Sequence, residues 1–96
     1  MALERVGDVV IDGVTRPITI NPQSGRFEID VDGSIAFIDF RIRGPALSLI
    51  HTEVPEALRR RGLADALAHA ALEYARTHQM TVRPICPFVS SYIRRH

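Results

Sequence analysis

The hydrophobic period of the chain changes at one place, the segment Arg59-Arg60-Arg61-Gly62-Leu63-Ala64, which we name the arginine turn. Before it, polar and apolar residues alternate, as is typical of half-buried strands. After it, apolar residues recur at the roughly 3.6-residue spacing of one helix face: Leu63, Leu67, Ala70, Ala71 and Tyr74. This spacing predicts a helix to about Thr77. The arginine turn therefore joins a strand to the longest helix.

The alternating stretches before the arginine turn predict strands at residues 18–21, 26–31, 34–42 and 46–54, separated by turns that contain Gly or Pro. The last of these is rich in apolar residues, so we expect it to be a central strand. After the helix, residues 81–86 predict a further strand. Pro87 suits the first position of a short terminal helix over residues 88–95.

This order of elements predicts an α+β fold. We expect a mixed, mostly antiparallel sheet, a right-handed parallel strand–helix–strand crossover and a short C-terminal helix. A chain of 96 residues suits one domain, which we assign to residues 17–96. Residues 1–16 contain an Asp12-Gly13 turn signal, and they form either a hairpin or a loosely attached extension.

The arginine turn has the composition of an anion-binding site. A helix N-terminus has unpaired amides and partial positive charge, and Gly62 and Ala64 let a diphosphate approach closely. Adjacent arginines there oppose the helix dipole, at a cost of about 0.3–1 kcal/mol each unless an anion binds. The alternative is that Gly62 only relaxes a tight turn and that the arginines are solvated.

Three segments together resemble a known family. Arg59-x-x-Gly62-x-Ala64 resembles the Arg/Gln-x-x-Gly-x-Gly/Ala signature of the GCN5-related N-acetyltransferases, in its place between the fourth strand and the long helix. His51-Thr52-Glu53-Val54-Pro55, and Cys86-Pro87-Phe88 with the residues that follow, are similar to a subfamily of small acetyltransferase-like proteins. The resemblance covers residues 18–96. Arg60 departs from the pattern, because the family usually has glycine at this position.

The resemblance implies acetyl-CoA or coenzyme A as the cofactor. In that family two strands splay apart, and the pantetheine arm lies between them. For this chain it implies that the strand end binds the arm and that the amides of residues 60–64 bind the pyrophosphate. The implied cofactor residues are Thr52, Glu53, Val54, Arg59, Arg60, Arg61, Gly62, Leu63 and Ala64. No metal site is expected, since a single cysteine excludes a multi-cysteine zinc site.

Acetylation of an amine requires a neutral amine and a proton for the departing thiolate. Glu53 and His51 are candidate bases, two residues apart and therefore on one strand face, although an exposed strand face is polar in any case. The resemblance implies that Tyr92 protonates the thiolate; alternatively its ring packs against the sheet.

Cys86 precedes Pro87 at a predicted helix N-cap, where unpaired amides lower the pKa of a thiol. An acyl-cysteine intermediate is therefore one hypothesis. The other is that Cys86 is a small buried hydrophobic residue at a strand end.

The loop of residues 22–25 is too short for the two helices that larger family members insert between their first strands. The resemblance therefore implies an open acceptor side, which suits an amine of a protein or peptide better than an enclosed metabolite. We expect an acetyl-CoA-dependent N-acetyltransferase. The alternatives are a non-catalytic module that binds CoA or acyl-CoA, and a nucleic-acid-binding domain.

A net charge of +1 and 6% aromatic residues argue against nucleic acid as a partner. The start of the chain lacks the apolar run of a signal peptide, and no stretch has the length of a membrane span. We therefore expect a cytoplasmic protein with no membrane partner; the oligomeric state stays open.

Overall fold

The computed structural model describes residues 3–96; Met1 and Ala2, the start of the predicted stretch 1–16, lie outside the described residues. Over these residues the chain forms a six-stranded sheet with strands in sequence order, and two α-helices. The elements are β1 (Glu4–Ile11), β2 (Val14–Asn21), β3 (Arg26–Val31), β4 (Ser34–Arg43), β5 (Ala46–Glu53), α1 (Leu63–Thr77), β6 (Thr81–Pro84) and α2 (Pro87–Arg95). None of the described helices is long and apolar enough to cross a membrane.

The sheet is mixed, as the sequence predicts. The strands β1 to β5 pair with their sequence neighbours in antiparallel fashion, and β5 pairs with β6 in parallel across α1. The α+β class, the mostly antiparallel sheet and the short C-terminal helix are therefore confirmed. β5 lies between β4 and β6, one strand in from the edge. Residues 22–25 form a turn, so nothing larger connects β2 to β3.

The largest differences from the predicted elements are at three places, and the other boundaries differ by at most one residue. β2 begins at Val14, because its first half pairs with β1 alone and so tolerates Pro17. β6 ends at Pro84, whose ring removes the next ladder donor. A short 3₁₀-helix (Glu56–Leu58), absent from the prediction, precedes the arginine turn and buries Leu58. The division of the chain at residue 17 stays a prediction.

Helix α1 packs on one face of the sheet. Its buried side chains are Leu63, Leu67 and small alanines, so the helix backbone comes close to the strands. Tyr74, predicted to lie on this face, is half-buried, and its ring contacts Phe27 edge-on, with 5.6 Å between the centroids. Cys86, Val89 and Tyr92 extend the same core to α2.

A β-bulge divides β5 into two halves. Asp39 pairs with His51 but Phe40 pairs with Leu49, so Ile50 is an extra residue on β5. Bulges bend the strand and change which side chains face each way. We call the side of the sheet that packs against α1 the helix face; Leu49 and Thr52 both lie on it.

The other side, which we call the open face, presents Ser48, the bulge residue Ile50, and then His51 and Glu53. His51 and Glu53 are exposed, whereas Thr52, opposite the buried Ile38, is half-buried. The bulge therefore places the neighbours Ile50 and His51 on the same side of the sheet, and the usual alternation continues from His51 to Glu53.

Candidate functional site

A groove of about 510 Å³ lies between the end of β5, the arginine turn and the start of α2. It is lined by Thr52, Glu53, Val54, Leu58, Arg59, Arg60, Gly62, Leu63, Ala64, Asp65 and Phe88. Eight of the nine residues implied for a cofactor are among them. The volume falls in the range of roughly 300–1,000 Å³ that is usual for small-molecule sites. The last residue pair between β5 and β6 is Leu49 with Pro84. β5 continues beyond this pair, and the groove opens there.

The floor of the groove is the N-terminus of α1. Gly62 is the N-cap and offers no side chain to the first amides, and the first helical bond runs from the Ala66 amide to the Gly62 carbonyl. The amides of residues 63–65 precede that bond, so they remain available to an anion. Gly62 has φ = 76°, in the left-handed region that favours glycine.

Arg60 also has a left-handed backbone, with φ = 66°. This is the position at which the signature usually has glycine. A non-glycine residue in this region costs about 1–2 kcal/mol. The backbone of the turn therefore keeps the conformation that glycine would supply, at a cost in stability, and the Arg60 side chain lines the groove.

The three arginines of the turn have different surroundings. Arg59 donates from Nε to the carbonyl of Val54 at 3.1 Å, which ties the turn to the end of β5. Arg61 forms an ion pair with Asp12, in the turn between β1 and β2. Among residues 3–96, Arg59 and Arg60 line the groove, whereas Arg61 does not.

Cys86 lies behind the groove wall. Its Sγ atom is 3.4 Å from the Oγ1 atom of Thr52, and the residue is 4% exposed. Its amide donates to the carbonyl of Leu49 at 2.8 Å, which holds it beside β5 just past the end of β6. The thiol is therefore adjacent to the groove but is covered.

The pKa of the Cys86 thiol is lowered from its ordinary value. Burial acts in the opposite direction and raises the pKa, but the Thr52 hydroxyl and the amides of Val89, Phe88 and Thr52 outweigh it. Val89 and Phe88 belong to the first turn of α2, where amides lack helical partners. Two features therefore lower this pKa: the N-cap position of Cys86 at the start of α2, and its contact with the hydroxyl of Thr52 on β5.

His51 and Glu53 form a pair on the open face. Their Nε2 and Oε1 atoms are 2.9 Å apart, which confirms that the two side chains share a strand face. Across β4, His51 is opposite Asp39 and Glu53 is opposite Phe37. Glu53 also lines the groove, so this pair lies where the groove meets the open face.

Tyr92 is buried in the core at 7% exposure, with its ring stacked on His96 at 4.3 Å between centroids. Phe88, one turn earlier, lines the groove, and the two ring centroids are 6.5 Å apart. Tyr92 itself is not among the groove-lining residues. Its packing agrees with the structural alternative considered from the sequence, and its catalytic role stays a prediction.

Sequence reasoning missed three residues of the groove: Leu58, Asp65 and Phe88. Phe88 belongs to the Cys86-Pro87-Phe88 segment and could have been chosen on that basis. Asp65 lies in the first turn of α1, and its carboxylate is paired with Arg95 at 3.8 Å. That pair offsets a negative charge close to the amides that would bind an anion.

The groove suits a ligand that has both a diphosphate and an apolar arm. Arg59, Arg60 and the amides at the start of α1 provide positive charge at one end. Val54, Leu58 and Phe88 provide apolar surface. A reactive group at the other end of such a ligand would reach the region between Thr52 and the His51–Glu53 pair.

Comparison with known proteins gives two findings. The sequence profile of a family described as GCN5-related N-acetyl-transferase matches residues 26–96. The curated proteins named NATD1 from chicken (Gallus gallus) and mouse (Mus musculus) are each 36% identical over 50 residues, which is 52% of this chain and 46% of each relative. The human (Homo sapiens) protein of that name is also 36% identical over 50 residues, 44% of its length. The match thus spans less than half of each of these relatives.

Proposed function

The chain belongs to the GCN5-related N-acetyltransferase family, and from this premise we propose that it binds acetyl-CoA in the groove and transfers the acetyl group to an amine of a protein or peptide. The observation on which the proposal rests is the junction of β5, the arginine turn and α1. It combines free helix amides, two groove-lining arginines and a left-handed backbone at residues 60 and 62. We further propose that the connection from β5 through α1 to β6 is right-handed, as is general for parallel strand–helix–strand units.

Acetyl-CoA, when bound, supplies an acetyl group activated as a thioester. In this proposal Arg59, Arg60 and the amides of residues 60–64 bind the diphosphate, and the backbone of residues 52–54 aligns the pantetheine arm. Leu63 and Ala64 line the base of the groove, and the small side chain of Ala64 leaves room for the phosphates. Arg61 contributes its backbone amide, since its guanidinium group is paired with Asp12.

Proton removal from the acceptor amine is assigned to Glu53, with His51 as its hydrogen-bonded partner. An amine with a pKa near 10 is mostly protonated at neutral pH, so a nearby base raises the fraction that can react. We assign protonation of the departing sulfur to Tyr92, on the family resemblance alone.

Cys86 has two possible parts in this reaction. As a nucleophile, its thiolate would take the acetyl group first and pass it to the amine; its lowered pKa supports this route. As a packing residue, it would hold Thr52 in place while the amine reacts directly, and its burial supports this second route. Replacement of Cys86 separates them.

A non-catalytic module that binds CoA or acyl-CoA is the second candidate. The observation that favours it is the short connection of residues 22–25, which leaves the open face of the sheet without an acceptor wall from that side. Both candidates need the groove, and they differ only in turnover.

Two measurements test the proposal in sequence. Isothermal titration with CoA should detect binding, and a lack of heat at millimolar CoA would end both candidates. Thiol release from acetyl-CoA, with and without a peptide pool, then separates enzyme from module. Tight CoA binding together with no peptide-dependent thiol release would favour the module.

A further inference from the structure

A second cavity, of about 340 Å³, lies on the open face at the opposite end of β5 from Glu53. Its walls include Arg41 and Arg43 on β4 and Arg83 on β6, and its floor is formed by Ala46, Ser48 and Ile50. We name it the basic trough. It is separate from the cofactor groove, since none of the described residues lines both.

Strand pairing fixes the form of the trough. Arg41 is opposite Ser48, and Ser48 is opposite Arg83, so the two arginines flank a small residue in one row across three strands. At a strand spacing of about 4.8 Å, their Cα atoms are roughly 10 Å apart. That width admits one extended peptide along β5, with a guanidinium group on each side.

The three arginines have no carboxylate of their own. The ion pairs found among residues 3–96 use other arginines, and no acidic residue lines the trough. Like charges that are close on one sheet face destabilise the fold. An anionic partner would relieve this repulsion.

The other end of the open face has the opposite charge. Glu28, Phe37 and Glu53 form one cross-strand row, which places two carboxylates near the mouth of the groove. The next row contains Arg26, Asp39 and His51, in which Arg26 and Asp39 are paired at 3.0 Å. The face is therefore acidic where the acceptor amine would react and basic about five residues away along β5.

We propose that the basic trough selects acceptor peptides that have acidic residues about four to six positions from the acetylated amine, at roughly 3.3 Å per extended residue. This inference rests on the proposed function, because it takes the groove mouth as the place where the amine reacts. Arg41, Arg43 and Arg83 are then positioning residues for the acceptor. The amine lies toward Glu53, and the peptide carboxylates lie between the arginines.

A nucleic-acid strand is a poorer fit for the trough. Single-stranded nucleic acids bind through base stacking on aromatic rings as well as through charge. Among residues 3–96, no aromatic residue lines the trough. On the same face the ring of Phe37 is covered by the guanidinium group of Arg26, at 3.7 Å from the ring centroid. The planar guanidinium groups of the three arginines match the geometry of carboxylates.

Fluorescence anisotropy with C-terminally labelled peptides tests the inference without any need for turnover. One peptide of about eight residues has a free amine at its start and Asp or Glu at positions five to seven, and its matched control has Asn or Gln there. We expect the acidic peptide to bind about tenfold more tightly, with the difference shrinking in about 0.5 M salt. Equal binding of the two peptides, or no binding of either, would overturn the inference.

Arginine variants locate the binding site. Arg41→Gln with Arg43→Gln, and separately Arg83→Gln, should each remove most of the preference for the acidic peptide. Arg94→Gln is the matched control: it makes the same charge change on α2, where the side chain donates to Ser90. An equal loss in Arg94→Gln, or displacement of the acidic peptide by short single-stranded DNA at lower concentration, would overturn the assignment.

Titration of CoA into the same variants tests the proposed function separately from the peptide preference of the basic trough. CoA binding that is unchanged in the trough variants, together with loss of acidic-peptide binding, supports the inference. Absent CoA binding in the unaltered protein would end the proposed function, whereas intact CoA binding with no peptide preference would end the inference alone.

Discussion

The hydroxyl of Thr52 and the thiol of Cys86 lie 3.4 Å apart, although 34 residues separate them in the chain. Thr52 lines the groove, and Cys86 begins the helix behind it. The contact therefore joins the end of β5 to the start of α2, two elements that both border the groove. Substitutions at these two positions should separate the chemical role of the thiol from its structural one.

Thr52→Val should raise the pKa of Cys86. The hydroxyl stabilises the thiolate and lowers this pKa. Without it, the effect of burial, which raises the pKa, is opposed only by the backbone amides. The pH dependence of Cys86 alkylation, followed by mass spectrometry, should show a midpoint displaced to higher pH. Thr19→Val, on another strand, is the control. An unchanged midpoint would contradict a role for the Thr52 hydroxyl.

Cys86→Ser and Cys86→Ala should both lose turnover if the thiol is the nucleophile. Loss of an acyl-cysteine route should reduce thiol release in both variants by about 100-fold or more. If Cys86 only packs, both variants should keep turnover, and Cys86→Ala should change mainly the free energy of unfolding. Full turnover in either variant removes the acyl-cysteine route.

Gly62→Ala should weaken CoA binding and should also lower the free energy of unfolding. In the described part of the chain, no heavy atom lies within 4 Å of the added Cβ atom, so the cost comes from the left-handed backbone and is about 1–2 kcal/mol. Gly33→Ala is a matched control, because it also has a positive φ and open space around it but lies in the β3–β4 turn. Chemical denaturation should show similar losses for both, and calorimetry should show weaker CoA binding only for Gly62→Ala.

Arg60→Gly should stabilise the protein. Glycine removes the left-handed strain at φ = 66°, and greater freedom of the unfolded chain offsets part of that gain, which leaves up to about 1 kcal/mol. Arg60→Ala removes the same side chain but keeps the strain, so its denaturation midpoint should not rise in the same way. Equal midpoints for the two variants would show that the backbone is not the cause.

Glu53→Gln should lower kcat by about 100-fold or more and leave CoA affinity nearly unchanged, because it removes the proposed base without altering the size of the side chain. Glu28→Gln makes the same charge change on the same face, two strands away. Steady-state kinetics on both variants would distinguish base catalysis from a general loss of negative charge. Equal effects on kcat would count against Glu53 as the base.

Much of the fold could be predicted because local patterns agree with it. The alternation in β3 and β4, the apolar spacing in α1 and the Pro87 start of α2 each report on a few neighbouring residues. The 3₁₀-helix was missed because three residues are too few to show a period. The early start of β2 was missed because Pro17 is unfavourable in a strand unless one edge is free.

The candidate site was predictable to the extent that it lies in one segment. Residues 52–54 and the arginine turn are close in sequence, and a family signature covers them. The surroundings of Arg61 depend on Asp12, and the pKa of Cys86 depends on Thr52, so both follow from the folding of distant segments together. The basic trough depends on strand register, which alternation alone does not fix across three strands.

The bulge at Ile50 determines what the deletion of a single codon would do to β5. Loss of that single codon would leave Leu49 and Thr52 on the helix face and His51 and Glu53 on the open face, since Ile50 is the residue without a partner on β4. What the deletion would remove is the local bend. An in-frame deletion therefore straightens β5 beside Cys86 while every side chain of the site keeps its side of the sheet.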